Sequence, residues 1–325
     1  MKSSLTASAF LLLSFGPAAA TTWDEPWQKQ IIENSDALVR VKIVKSSPSR
    51  VEFAVIKQVA GEKLGEKGSL VGFSMLNFGS YSVKEDVFEL SPKIEYYLFV
   101  KKAEKKGEYL LPTPTSGFAA TRKGTTTATY RHSHHQALVS DADYEMTMAA
   151  IFKELKHEKP DLGLVRKYIA EQLAQKPADI PEDPKDEEFG RFCRQHVALE
   201  TLYYLGGADL AQLEPFLKHQ NWHVQTSAVR ALGRMPRAES LERLLAFIAD
   251  PERAGFPKVM AVWALRDLNA TEAAPKLREM LKSTKDEETG FGGNIMDPRV
   301  ATSFPASVHG AIEQVLEGWE KAKKP

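Results

Sequence analysis

The residues most able to do chemistry are gathered in Tyr130-Arg131-His132-Ser133-His134-His135. If this stretch is a strand, His132 and His134 share one face, because side chains alternate with period two. Two imidazoles on one face begin a zinc or copper site, which needs a third and usually a fourth ligand. His135 adjoins the pair, while His157 and several acids have no fixed place in the pattern. The alternative is a polar strand end or loop carrying exposed histidines. Signatures of catalysis are missing: there is no G-x-S-x-G elbow, no H-E-x-x-H, no phosphate-cradling glycine loop and no cysteine–histidine motif. Gly290-Phe291-Gly292-Gly293 follows no strand pattern, and the carboxylates of 183–188 sit in a proline-rich connector where burial does not tune their pKa.

A second cluster has binding rather than bond-making character. On a helix starting at Asn221, His223, Arg230 and Arg234 fall at relative positions 0, 7 and 11. At 3.6 residues per turn these share one narrow sector. With Arg237 nearby, they form a basic ridge suited to an acidic peptide or an anionic glycan. The alternative is a solvated helix face. Trp222, Trp263 and Trp319 are candidate aromatic anchors, although the repeat spacing of Trp263 suits a core or stack edge.

The elements that must position these residues differ between the two halves. From Phe189 onward a helical pattern repeats. Tyr203-Tyr204-Leu205-Gly206, Arg230-Ala231-Leu232-Gly233 and Trp263-Ala264-Leu265-Arg266 each end a helix, with Leu205, Leu232 and Leu265 spaced by 27 and 33 residues. Small residues such as Ala228 and Ala231 let neighbouring helices approach closely, and leucine fills the space between pairs. The partner helices are Leu210–Leu217, Leu241–Ile248 and Ala274–Leu281. An insertion, 283–304, precedes a last helix carrying Val308, Ile312, Val315 and Leu316. The run Val224 to Gly233, read as V-x-x-x-A-x-x-A-L-G, resembles HEAT-like repeats of the short, phycobilisome-lyase type. That resemblance covers roughly 130 residues and implies a stack of antiparallel helix pairs with a concave surface.

Residues 37–140 carry strand signals instead. Stretches 37–44, 51–55, 69–73, 95–100, 108–111 and 125–130 are β-branched or alternating and are separated by turn residues. Their number suits a small antiparallel barrel or sandwich. The order of Asp36-Ala37-Leu38-Val39, a long hairpin and Lys93-Ile94-Glu95-Tyr96-Tyr97-Leu98-Phe99 resembles exported OB-like domains of the netrin type. This chain lacks the cysteines of the inhibitory members, so protease inhibition does not carry over. Between the halves, helical patterns at 141–155 and 161–173 are followed by a proline-broken acidic stretch up to 189.

Residues 1–20 have a lysine start, the apolar run Ala9-Phe10-Leu11-Leu12-Leu13 and a Gly16-Pro17-Ala18-Ala19-Ala20 end, the three parts of a cleavable signal peptide. Cleavage is expected after Ala20. Cys193 is the single cysteine and reads as buried and inert. Charge balances at 43 basic against 43 acidic residues, so no strongly basic footprint points to nucleic acid. No later stretch is apolar enough for a transmembrane segment.

These features predict an α+β protein: 1–20 signal peptide, 21–140 β-barrel domain of OB-like type, 141–189 helical connector and acidic linker, 190–325 all-α HEAT-like solenoid. The expected function is that of an exported, periplasmic or secreted, non-enzymatic protein. It would bind a protein or peptide partner in the cell envelope or outside through the helical surface, with His223, Arg230, Arg234 and Arg237 as contacts. No cofactor is expected unless zinc binds His132, His134 and His135. The other readings are that metal-binding role and a hydrolase whose residues converge only in three dimensions.

Overall fold

The computed structural model describes residues 23–24, 26–47, 49–72, 90–113, 116–132, 135–181, 186–287, 289, 300–301 and 307–322. The expected signal peptide, His134 and most of the 283–304 insertion lie outside the described residues. A short strand β1 (Trp23–Asp24) and helix α1 (Gln28–Glu33) precede the long hairpin of β2 (Ala37–Ser47) and β3 (Arg50–Gly61). With β4 (Lys67–Leu70), β5 (Glu95–Lys102) and β6 (Glu108–Leu110), the hairpin closes into a ring ordered β2-β3-β4-β6-β5-β2. β4 and β6 run parallel and the other pairs antiparallel. This is a five-stranded, OB-like barrel, and closure leaves its strands no open edge within the ring.

Period two explains how the barrel faces two cores at once. Val39, Val41 and Ile43 on β2 and Tyr96, Leu98 and Val100 on β5 fill the barrel with Val51, Phe53 and Leu70. The intervening Leu38, Tyr97 and Phe99 point the other way, into a core shared with the helices. A strand buried on both faces reads as an unbroken apolar run, which is what Tyr96-Tyr97-Leu98-Phe99-Val100 is. Gly61 ends β3 with φ +76°, where an added Cβ would stand 2.3 Å from the Asp36 carbonyl oxygen.

The sheet continues beyond β5 through β7 (Phe118–Arg122), β8 (Thr125–Thr129) and β9 (Gln136–Ser140). Neither β7 nor β9 is among the strands expected from the sequence. Alanine weakens the strand signal of Phe118-Ala119-Ala120, and the turn to β8 is Lys123-Gly124, both at positive φ (51° and 80°). β8 stops at Thr129 and β9 starts at Gln136, so His132 and His135 do not lie on a strand as expected. His132 sits in a loop, bridged to Trp27, and the Gln28 N–H donates to the Arg131 carbonyl at 2.8 Å.

Ser140 accepts from the Asp143 N–H at 3.1 Å and so caps α2 (Asp141–Leu155), which α3 (Gly163–Leu173) follows. The remaining helices are α4 (Glu187–Leu205), α5 (Leu210–Leu217), α6 (Trp222–Leu232), α7 (Arg237–Ala249), α8 (Gly255–Asp267), α9 (Ala274–Ser283) and α10 (Val308–Lys321). Strand β10 (Val300–Ala301) precedes α10 and pairs in parallel with β1. Helices α4, α6, α8 and α10 stack neighbour on neighbour into one layer, while α5, α7 and α9 pack behind α6, α8 and α10. Gly233 marks how closely α6 and α8 approach: a Cβ there would stand 2.6 Å from the Ala264 Cβ. One hydrophobic core runs from Tyr97 and Phe99 on β5, through α2 and α4, to Trp319 on α10. The barrel is therefore bolted to the helical layer rather than strung beside it. Among the described residues no helix is long and apolar enough to cross a membrane.

Candidate functional site

The helical layer meets the N-terminal segment around a buried carboxylate. Glu200 of α4 is fully buried, and its Oε2 accepts from Arg230 Nε of α6 at 2.9 Å. Its Oε1 accepts from Ser227 Oγ at 2.8 Å and lies 3.6 Å from Nη1 of Arg131, the buried residue before the histidine loop. Two guanidinium groups thus share one carboxylate. The nearer one gains most: burial depresses the pKa of Arg230, but Glu200 together with Tyr203 and Tyr204 outweighs it and raises the pKa. For the more distant Arg131, burial wins and lowers the pKa to about 10.

Imidazoles surround this hub. His196 Nδ1 lies 3.1 Å from Ser227 Oγ. Because the one hydroxyl proton of Ser227 goes to Glu200, His196 must donate from Nδ1. The serine stands between imidazole and carboxylate, whereas a nucleophilic triad needs the imidazole in the middle. His135 sets its ring edge-on to His223, with centroids 5.0 Å apart, and parallel to Phe256 at 6.4 Å. His132 stands edge-on to Trp27 at 5.5 Å. Burial lowers the pKa of His135, His196 and His223, the last to about 4, and the Arg131 charge reinforces each shift. Among the described residues no three His, Cys, Asp or Glu side chains form a group that could hold a metal ion.

The outward face of Arg230 opens onto a groove of about 510 Å³. Its guanidinium lies 3.8 Å from the Tyr203 ring centre and 5.0 Å from that of Trp27. Trp27 in turn meets Trp263 of α8 edge-to-face at 6.0 Å, and Arg266 lies 5.2 Å over Trp263. Trp27 at the start of α1 and Lys29 and Glu33 within it form one wall; α4, α6 with its cap Gly233, and α8 supply the others through Tyr203, Arg230, Gly233, Trp263 and Asp267. Arg234, just beyond the end of α6, completes the rim. Aromatic surface between fixed cations, in a volume within the usual range for ligand sites, is suited to recognition.

Residues 210–290 match the family model of HEAT repeats. The match spans α5 to α9, so α6 and α8, two of the three helices walling the groove, lie in the HEAT-repeat segment. HEAT repeats suggest protein–protein interaction in general. No curated protein and no solved structure matches the chain.

The HEAT-repeat layer separates the residues expected to form one basic ridge. Arg230 and Arg234 line the groove together. Arg237 opens α7 and forks onto Glu272. His223 faces His135, away from the groove lining. His223 leaves the expected sector although it lies on α6 with Arg230, because its ring packs against His135 and Trp222, while Arg234 lies beyond the end of α6 at Leu232 and still lines the groove beside Arg230. His132 and His135 are buried rather than exposed, and His134 lies outside the described residues. Trp263 is a half-buried stack edge and Trp319 is core. Trp27, Tyr203, Arg131 and Glu200 were missed as site residues. Arg131 stands in the histidine string itself, but nothing local marks it or Glu200 as buried.

Proposed function

We propose that this is an exported, non-enzymatic interaction protein that holds a protein or peptide partner on its HEAT-repeat layer, at the groove walled by Trp27, Tyr203, Arg230 and Trp263. The observation that carries the reading is this groove: three stacked helices and the N-terminal segment converge on an aromatic surface with cations at fixed positions. The HEAT-repeat match of 210–290 supports a protein as partner. Export rests on the composition of residues 1–20 and places the partner in the cell envelope or outside. The zinc reading of His132, His134 and His135 is disfavoured by Arg131, a buried cation whose charge acts on His135 and opposes a second positive charge there.

The test is in-cell cross-linking followed by mass spectrometry, with N-terminal sequencing of the protein from each cell fraction. The reading expects a mature terminus at Thr21 in an envelope or extracellular fraction, and cross-links from the groove to a separate protein. Protein retained inside the cell with Met1 in place, or turnover of a small molecule without any captured partner, would sink it.

A further inference from the structure

The charges of the groove are not equivalent, and the difference selects an occupant. Lys29 lies 3.8 Å from Glu33, Arg266 bonds Asp267 at 2.9 Å, and Arg230 is committed to Glu200. Arg234 stands apart: it is exposed, and no carboxylate of the described residues lies within ion-pair distance of it. Behind the wall, Arg131 and Arg230 share the single carboxylate of Glu200, which leaves one positive charge in excess beside imidazoles that burial keeps neutral. A carboxylate arriving at Arg234 meets an unspent guanidinium fork and the field of this excess charge.

Resting on the partner-binding reading above, we propose that the groove takes an acidic peptide segment. One Asp or Glu side chain pairs with Arg234, and an adjacent aromatic side chain lies against Trp27 and Trp263. Glu33 and Asp267 on the rim argue for sparse rather than dense negative charge, since a polyanion such as a phosphate backbone would bring charges against them. They also accept hydrogen bonds, which the N–H groups of a peptide backbone supply. The HEAT-repeat match makes a protein segment the better fit than an anionic glycan.

The test is fluorescence anisotropy of the purified protein with a labelled peptide, Gly-Asp-Phe-Glu-Trp-Asp-Gly, and its counterpart bearing Asn and Gln in place of the acids. The acidic peptide should bind saturably. Its affinity should drop by about tenfold or more with the neutral counterpart, with Arg234→Glu and with Trp263→Ala, the worth of one charge-assisted contact or one aromatic anchor. Lys282→Glu on α9, an exposed charge outside the groove, should leave it unchanged. Equal binding of both peptides, binding unaffected by Arg234→Glu, no binding at all, or binding of a hyaluronan tetrasaccharide in place of the peptide would each overturn the proposal. In-cell cross-links keep the two ideas apart: a protein captured at the groove through a segment without acids refutes this inference but not partner binding, whereas no capture refutes both.

Discussion

Glu200 and Arg230 face each other across α4 and α6, 2.9 Å apart and both buried, and Arg131 from the β8–β9 loop leans on the same carboxylate. The Glu200–Arg230 pair ties α4 to α6 and fixes the stacked arginine that forms the groove wall, and Arg131 joins the sheet side of the molecule to this helical layer. Glu200→Gln keeps the shape but leaves two buried cations without a counter-charge. Breaking a buried pair from one side costs about 3–5 kcal/mol. Urea unfolding should show that loss as a lower midpoint; an unchanged midpoint would mean that the carboxylate is not the hub.

Acid should loosen the same region. His223 has its pKa lowered from 6.5 to about 4, chiefly by burial and then by Arg131, and His135 and His196 are lowered too. The unfolded chain takes up these protons near pH 6.5, and the folded protein takes up that of His223 only near pH 4. Stability is therefore complete above 6.5 and falls between 6.5 and about 4, by about 1.4 kcal/mol per pH unit for each such group. Beyond Arg131, His135 and the Trp222 ring face His223 directly. Urea midpoints at about pH 7.5 and about pH 5 measure the fall, and His223→Gln should reduce it while the contributions of His135 and His196 remain. Equal slopes for the two proteins would refute the assignment.

Gly233 tests the close approach of α6 and α8. A Cβ there would stand 2.6 Å from the Ala264 Cβ, and Gly233 also lines the groove. Gly233→Val should push the helices apart, cost about 1–3 kcal/mol by overpacking and weaken peptide binding as well. Retention of both stability and binding would show that the helices can part without consequence.

Cys193 is buried in α4 and its thiol pKa is raised by burial. A thiol reagent should label it slowly in the native protein and fully in urea. Rapid native labelling would mean that α4 does not bury this thiol in the shared core.

The HEAT-repeat layer was legible because its rules are local. Ala228, Ala231 and Gly233 mark the tight face of α6, and Leu232 fills the gap beside it, all within one short run. The barrel strands showed for the same reason, through alternation at 39–43 and 51–55. The groove was not legible. Trp27 and Trp263 meet only because the chain between them folds, and Glu200 looks like any other helix charge until α6 covers it. The histidine string misled because the chain leaves the sheet after Thr129, pinned by the Trp27–His132 bridge, an event with no signature in the string itself.

Site-directed photo-cross-linking in cells tests the central claim most directly. A benzophenone amino acid replaces either Arg266 on the groove rim or Glu242, an exposed position on α7 outside the groove. Binding of a partner in the groove predicts a discrete adduct with a second protein from position 266 and none from 242. Adducts from 242 alone, or from neither position, would contradict it.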